Sequence, residues 1–377
     1  MHKPSPIIRI SSRIAKGVLL AGTLLYALLF LFGAYSGYIA PMRWTAPAFL
    51  GLFFPLLLAG WILISLFWLL TLDVRRLLLV GAVWLIALPQ LLTFFPISRS
   101  TKVLGTEGEV LRVLSYNVSA FGFKPHSATQ PNPILQYISS SDADIVCLQE
   151  AMLNQNPEAG VVTKTLREYL ASDYPYIACI QVGTGGSTLA ILSKYPLSEV
   201  EQIPVPTHAN GAIKAKVKLK GRELLLVNVH LESFHLKADD GANYIALAKQ
   251  GEALQLKDAL RAKLGPTFRY HNAQAVILHE LIKAYNSPRV LVCGDFNDTP
   301  LSYTRRKIGD GLKDAFVARG NGFGFTFRNR PFIVRIDHIL YGKAFRALSC
   351  EIDKTADESD HYPISAVLAL DEAFYQD

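Results

Sequence analysis

At 377 residues, 50% hydrophobic and 18% charged, the chain is long enough for one large domain or two ordinary ones. Its first hundred residues carry eight Lys/Arg against one acid, Asp73, so that of the chain's 38 basic and 31 acidic residues 30 of each sign fall in residues 101–377. The sequence pI near 9.1 therefore belongs to the N-terminal part, and composition gives no support to a basic nucleic-acid-binding domain.

Three apolar stretches come first, at about 17–40, 46–72 and 77–97, and none contains Lys, Arg, Asp or Glu. Each meets the roughly 20 residues that a helix needs to cross the hydrocarbon of a bilayer. A cleavable signal peptide explains the first poorly, because its apolar run exceeds the usual ~7 to 15 residues and two more spans follow at once. The plainer alternative, a buried helical core, would require three adjacent uncharged helices of this length, which no soluble fold needs. Lys3, Arg9, Arg13, Lys16 and the pair Arg75/Arg76 fall on one side of the spans, and Arg43, Arg99 and Lys102 on the other. The positive-inside bias then makes the N-terminus cytoplasmic and carries residue 101 onward to the extracytoplasmic, periplasmic side of a plasma or inner membrane. Pro89 in the third span predicts a kink rather than a functional site. Residues 1–100 are thus expected as a membrane anchor and 101–377 as one further domain.

After a short polar linker, residues 110–117 read as a strand, 133–140 as a short helix, 144–149 as a buried strand and 161–171 as an amphipathic helix. Strands are predicted again at 189–193, 212–220 and 224–230. The interval 238–286 has helical spacing in two pieces, interrupted around Gly265-Pro266. Residues 237–286 make a long connection before the next strand, and such an insertion is placed to shape or cover a cleft. A strand at 289–293 follows, then strands near 323–327, 335–341 and 364–370. Strands outnumber helices, and the helices fall between strand pairs, an order that suits an α/β sandwich of two β-sheets packed face to face with helices outside. The four cysteines, Cys147, Cys179, Cys293 and Cys350, show no CxxC spacing, which argues against structural zinc. Cys147 and Cys293 lie in apolar runs, where a free Cys acts as a small hydrophobe; disulfide pairing of any two stays open.

Polar residues that directly follow buried strands mark where an α/β enzyme places its site, and here they recur. Asn117 ends Ser115-Tyr116-Asn117, Glu150 follows Cys147-Leu148-Gln149, and His230 sits in Asn228-Val229-His230-Leu231-Glu232-Ser233. Asp295 and Asn297 stand in Gly294-Asp295-Phe296-Asn297-Asp298, Asp337 in Arg335-Ile336-Asp337-His338, and Asp360 and His361 in Ser359-Asp360-His361-Tyr362-Pro363. Hydrolysis of a phosphate ester needs a divalent cation held by carboxylates, an activated water, and donors around the phosphoryl oxygens, and these groups supply all three. Taken singly, each segment has a bland alternative: Glu150 as a strand-end surface acid, Gly-Asp-Phe-Asn as an Asx-type turn, His230 as a satisfied strand-end histidine.

In this order, over about residues 110–370, the six segments resemble the endonuclease/exonuclease/phosphatase superfamily, which includes pancreatic-type deoxyribonucleases, abasic-site endonucleases, neutral sphingomyelinases and inositol-polyphosphate 5-phosphatases. The resemblance implies a DNase I-like four-layer sandwich, two packed sheets flanked by helices, preceded here by three transmembrane helices. It implies Glu150 as the principal Mg²⁺ carboxylate with Asn117 near the metal or the phosphate, Asp295 polarising the attacking water beside the metal, and Asn297 holding a phosphoryl oxygen. His361 would contact the scissile phosphate, Asp337 would fix the tautomer of His361, and Asp360 would lie beside the metal. His230 would be a second phosphate-side histidine, supported by Asn228 in binding substrate. His208, His235, His271 and His279 carry no motif and read as surface or helix-face residues. His338 stands where many relatives have Tyr, which leaves a place in the cleft open. Gly183-Thr184-Gly185-Gly186-Ser187 is similar to a loop near the family's substrate, or is a plain hairpin turn. Segments 298–302, 314–316 and 322–326 resemble membrane-tethered bacterial members.

The expected cofactor is Mg²⁺, with Mn²⁺ as a substitute, because the implied ligands are oxygens and suit a hard, partly hydrated ion. Three functions are weighed: a phosphodiesterase or phosphatase acting on lipid head groups or another extracytoplasmic phosphate ester, an extracytoplasmic nuclease, and a catalytically silent binding protein on the same fold. The anchor and the neutral domain favour the first; the intact set Glu150, Asp295, Asn297, Asp337 and His361 argues against the last. The expected partners are the phosphate-ester substrate and the lipid bilayer, with no protein partner inferred.

Overall fold

The computed structural model of the chain describes residues 6–98, 109–153, 161–183, 187–235, 238–329 and 333–376. It divides into two compact units, one running to Leu91 with Leu301–Tyr303, the other holding Leu92–Pro300 and Thr304–Asp377.

Among the described residues, three helices are long and apolar enough to cross a membrane, Ile14–Ala34, Phe54–Thr71 and Val74–Phe94, with mean hydropathies of 2.1, 2.1 and 2.2. The first ends at Ala34, short of the expected 17–40 stretch. The stretch 46–72, expected as one span, is two helices, Ala46–Leu52 and Phe54–Thr71. The break falls at Phe53 because Pro55 has no N–H to continue the first helix and its ring crowds the turn before it. The third begins at Val74, takes in Arg75 and Arg76, and runs on through Pro89. Polar side chains tie the helices together: Trp68 Nε1 donates to Thr23 Oγ1 at 2.9 Å, Trp84 Nε1 to Ser65 Oγ at 3.0 Å, and Tyr26 OH to Leu57 O at 3.1 Å. Phe30 stacks on both Phe54 and Trp61 with ring centroids 5.6 Å apart. Leucines 25, 28, 63, 70 and 85 point outward and are exposed, the pattern of helices whose solvent is hydrocarbon.

The second unit is the expected four-layer sandwich. Its strands are β1 (Val110–Asn117), β2 (Ile145–Gln149), β3 (Tyr176–Val182), β4 (Ser187–Ser193), β5 (Leu197–Ile203), β6 (Gly211–Leu219), β7 (Arg222–His230), β8 (Val290–Asp295), β9 (Lys313–Asp314), β10 (Asp337–Tyr341), β11 (Phe345–Ile352) and β12 (Ile364–Leu370). They form two six-stranded sheets, ordered β11-β12-β1-β2-β4-β3 and β5-β6-β7-β8-β10-β9. In each sheet one central pair is parallel, β1 with β2 and β7 with β8, and the other pairs are antiparallel.

Alternation along the strands divides the apolar side chains between layers. Val113, Cys147 and Ile191 meet Ile213, Leu226, Leu291 and Cys293 between the sheets. Leu114, Val146 and Leu192 face the helices Pro133–Ser140 and Thr163–Leu170, while Val227, Val229 and Val292 face Ala275, Leu278 and Ile282 of the long helix Ala253–Tyr285. All four cysteines are free.

Two expectations are corrected here. The helical interval 238–286 breaks at Gly251, which takes φ 74, and not at Gly265-Pro266, through which the second helix is continuous. Leu264, Phe268, Ala275 and Leu278 are buried along that helix, and this packing outweighs the single hydrogen bond that Pro266 removes. The segment 323–327 forms no strand: Gly322 and Gly324 take φ 77 and 61, and Phe327 makes only isolated bridges to Val334 and His361.

Candidate active site

Strand ends from both sheets meet at one edge of the sandwich. Asn117 closes β1, Gln149 closes β2 with Glu150 next, His230 closes β7, Asp295 closes β8 and Asp337 opens β10. Register places His230 and Asp337 opposite Asp295 on its two sides. Gly294 is required for this: a Cβ there would stand 2.0 Å from Val229 O, and its φ of 140 suits no other residue.

Asn117 ties the two sheets together, its Nδ2 donating to Glu150 Oε1 at 3.0 Å and to Asp295 Oδ2 at 3.1 Å. His230 Nε2 lies 3.4 Å from Glu150 Oε1 and 3.7 Å from Asp295 Oδ2. On the other side His361 Nδ1 is 2.8 Å from Asp337 Oδ2, and its Nε2 is 3.7 Å from Asp295 Oδ2. Two groups of three ligand atoms thus lie within 4.8 Å of one another, Glu150 with His230 and Asp295, and Asp295 with Asp337 and His361. Phe327 covers His361 with ring centroids 5.0 Å apart.

The ionisation states follow from burial and neighbours. Burial opposes the charge of Glu150, but His230, the Asn117 amide and His361 outweigh it and hold its carboxyl below the usual range. Burial pushes His230 down, toward the neutral ring. Burial and the charge of Asp337 push Asp295 up to about 8. Burial would also discharge His361, yet the carboxylates of Asp337 and Asp295 hold it up at about 10. Asp295, 1% exposed between Glu150 and Asp337, therefore stands in a pocket short of positive charge. A cation beside Glu150 and Asp295, bound through their oxygens, would relieve that shortage, so the donor set fits a divalent metal ion.

The remaining expected residues are placed differently. The backbone N–H of Asn297 donates to Asp295 Oδ1 at 2.8 Å, and its Nδ2 donates to Leu231 O at 2.9 Å. Gly-Asp-Phe-Asn is therefore an Asx turn and also part of the cleft. Asn228 does not join the group. Its Nδ2 donates to Leu148 O and Ala190 O, both at 3.0 Å, and its Oδ1 accepts from Gln149 Nε2 at 2.8 Å, all between the sheets. Asp360 is half-buried and outside both converging groups; its backbone O accepts from Arg328 N. His338, open to a cleft role from its sequence position, is instead fully buried, with Nδ1 3.3 Å from Asp314 Oδ2 and its ring against Phe296. His271, read as a surface or helix-face residue, is buried 3.3 Å from Asp298 Oδ2. The centre of the glycine-rich loop, 184–186, lies outside the described residues; Val182 and Ser187 on either side of it are paired.

Sequence reasoning missed three positioning groups. Asn210 Nδ2 lies 3.1 Å from His230 Nε2 and donates to Leu231 O at 2.7 Å; Asn210-Gly211 gives only a turn signal. Thr326 Oγ1 accepts from the N–H groups of Ile336 and Asp337, fixing the start of β10. Ser359 Oγ donates to Asn117 O at 2.7 Å and accepts from His361 N, joining the two ends of the site.

The sequence profile described as Endonuclease/Exonuclease/phosphatase family matches residues 114–361, and a domain of unknown function matches residues 16–94. Sphingomyelin phosphodiesterase 2 of Homo sapiens is 25% identical over 261 residues, covering 61% of this chain and 56% of that protein, so the chain spans little more than half the length of this relative. Among solved structures, an endonuclease/exonuclease/phosphatase from Beutenbergia cavernae DSM 12333 is 17% identical with a TM-score of 0.49, covering 70% of this chain and 72% of that one. Another, from Bacteroides vulgatus, is 20% identical with a TM-score of 0.47, covering 70% and 100%.

Proposed function

Because the chain belongs to the endonuclease/exonuclease/phosphatase family of phosphate-ester hydrolases, we propose that it is a Mg²⁺-dependent phosphodiesterase or phosphatase held at a membrane. Residues 1–100 serve as the anchor and 101–377 as the catalytic domain on the extracytoplasmic side. The observation that supports this reading most is the convergence of Glu150, Asn117, Asp295, His230 and His361 from strand ends of both sheets.

Glu150 and Asp295 would hold the cation, with Asn117 orienting both carboxylates and Asp360 near its hydration shell. When bound, Mg²⁺ supplies charge neutralisation at the phosphoryl and leaving oxygens; Mn²⁺ would serve in its place. Asp295 orients the attacking water and takes its proton at Oδ2, in line with the phosphorus. Protonated His361, held by Asp337, stabilises the negative charge that develops on the phosphoryl oxygens, and neutral His230 contributes from the other side. Leu231 O fixes the amide plane of Asn297, which would leave its second N–H for a phosphoryl oxygen. Similarity to a sphingomyelin phosphodiesterase, together with the apolar helices, supports lipid phosphodiesters as the first substrates to try.

The test uses the full chain in detergent with bis(p-nitrophenyl) phosphate. Mg²⁺-dependent nitrophenol release is expected, with kcat about 10²- to 10⁴-fold lower in Asp295→Ala and His361→Ala. Wild-type rates in both variants would remove the hydrolase centre from this cleft. A panel of choline and inositol phospholipids against plasmid DNA then separates the lipid reading, in which the lipids turn over, from a nuclease, in which only DNA is cut.

A further inference from the structure

A second constellation lies two residues beyond His230, and hydrolysis makes no use of it. Glu232 is 2% exposed, yet one of its oxygens faces two imidazoles: His208 Nδ1 is 2.9 Å from Oε1, and His235 Nε2 is 3.5 Å from the same atom. The other oxygen, Oε2, is already fixed, accepting from Thr207 Oγ1 at 2.8 Å and from His208 N at 2.9 Å. Tyr270 OH stands 3.2 Å from His208 Nε2 and orients that ring from behind. His235 holds a left-handed backbone, φ 48, which turns its ring back toward Glu232.

We propose that His208, Glu232 and His235 form a binding site for a transition-metal ion of the Zn²⁺ class at the rim of the cleft, separate from the cation at Glu150 and Asp295. Two imidazoles and one carboxylate oxygen are the donors such an ion prefers, whereas Mg²⁺ prefers oxygens alone. Tetrahedral coordination sets neighbouring ligand atoms roughly 3.3 Å apart, and the two nitrogen-to-oxygen separations bracket that spacing. The division of labour at Glu232, one oxygen held by donors and one directed at the histidines, is the arrangement that orients a monodentate ligand, as Tyr270 orients His208. The three donors do not all lie within 4.8 Å of one another, so closure needs His235 to swing toward His208. Its side chain is 58% exposed, and the swing is a rotation at the cleft rim rather than a change in the core. The same loop reaches the catalytic group: Asn210 N donates to Thr207 Oγ1 at 3.0 Å, and Asn210 Nδ2 meets His230 Nε2. An ion here would stiffen 207–210 and with it the position of His230.

The experiment takes the full chain in detergent, stripped by chelator and saturated with Mg²⁺, and titrates it with Co²⁺ as a visible-absorbing stand-in for Zn²⁺. One equivalent with d–d bands of nitrogen and oxygen coordination is expected. Affinity should fall by at least about 10- to 100-fold in His208→Ala and in His235→Ala, less in Tyr270→Phe, and stay unchanged in Glu150→Gln. Circular dichroism of the metal-free variants checks their fold. Absence of a Co²⁺ equivalent in the wild-type chain overturns the proposal, and so does an equivalent that survives both histidine variants or disappears with Glu150→Gln.

Discussion

Asp337 decides which nitrogen of His361 faces the cleft. With Nδ1 held 2.8 Å from Asp337 Oδ2, Nε2 faces Asp295 at 3.7 Å, and in the proposed mechanism it would meet substrate. Burial alone would strip the ring of its proton, and the two carboxylates keep it on up to about pH 10. The folded value exceeds the ordinary histidine value, so the cation and the stability it brings are fully present below about pH 6.5 and are lost as pH rises through the folded value. Asp337→Asn removes the larger carboxylate effect. The alkaline limb of kcat/KM is expected to move to lower pH, with a loss in kcat of about 10⁴-fold if the tautomer is also lost; an unshifted limb would detach Asp337 from His361. Asn228 poses the opposite case. Residues 228 and 230 share a strand face, but 228 lies about 6 to 7 Å deeper in the sandwich, where its amide joins the sheets rather than meeting solvent. The family resemblance implied that Asn228 supports His230 in binding substrate, and period-2 geometry explains why depth, invisible in the motif, places it elsewhere. Asn228→Ala is expected to lower unfolding free energy by roughly 1–3 kcal/mol, measured in urea; a variant of wild-type stability with a raised KM would return Asn228 to the substrate.

Interior strands were legible and edge strands were not. The four strands that the sequence failed to disclose, β3, β5, β9 and β11, are the outermost strands of the two sheets. Central strands carry continuous apolar runs such as Ile145–Gln149, buried at every residue, whereas β5 exposes four of its seven residues and β9 is two residues long. Edges are covered on fewer sides and so leave a weaker apolar signal. The acids and histidines at the ends of the interior strands were therefore found together with those strands, while loop residues such as Asn210 were not. One loop-to-helix junction carries its own prediction. Asp314 accepts from Phe316 N and Val317 N as a helix cap and pairs with Arg305 at 2.9 Å and His338 at 3.3 Å. Burial opposes its charge, and Arg305, His338 and Arg335 outweigh that, holding the carboxyl far below its usual range. The stability this confers is present above the ordinary Asp value near ~4 and lost as pH falls below it. Asp314→Ala is expected to cost about 3–5 kcal/mol in urea unfolding at neutral pH; a cost under ~1 kcal/mol would show that the cluster is not a stabilising unit.

For the whole molecule the anchor sets where chemistry takes place. In the proposed function, three apolar helices with outward leucines would confine the hydrolase to a surface, so that a substrate sharing the bilayer would meet it by diffusion in two dimensions. Under the proposed topology, with a cytoplasmic N-terminus, alkaline phosphatase fused after residue 377 is expected to be active in intact cells; activity of a cytoplasmic reporter at the same position would reverse the topology. The bond from Asn117 to Asp295 joins residues 178 apart in sequence, and it has a temporal consequence. Neither half of the cleft exists as a ligand set until both sheets have docked, because each converging group draws on residues of both sheets, from Glu150 to His361. A nascent chain that has not yet reached His361 lacks the complete ligand set, and the proposed hydrolytic competence would arrive only with sheet docking, so recovery of activity on refolding should share a phase with tertiary fluorescence and not precede it.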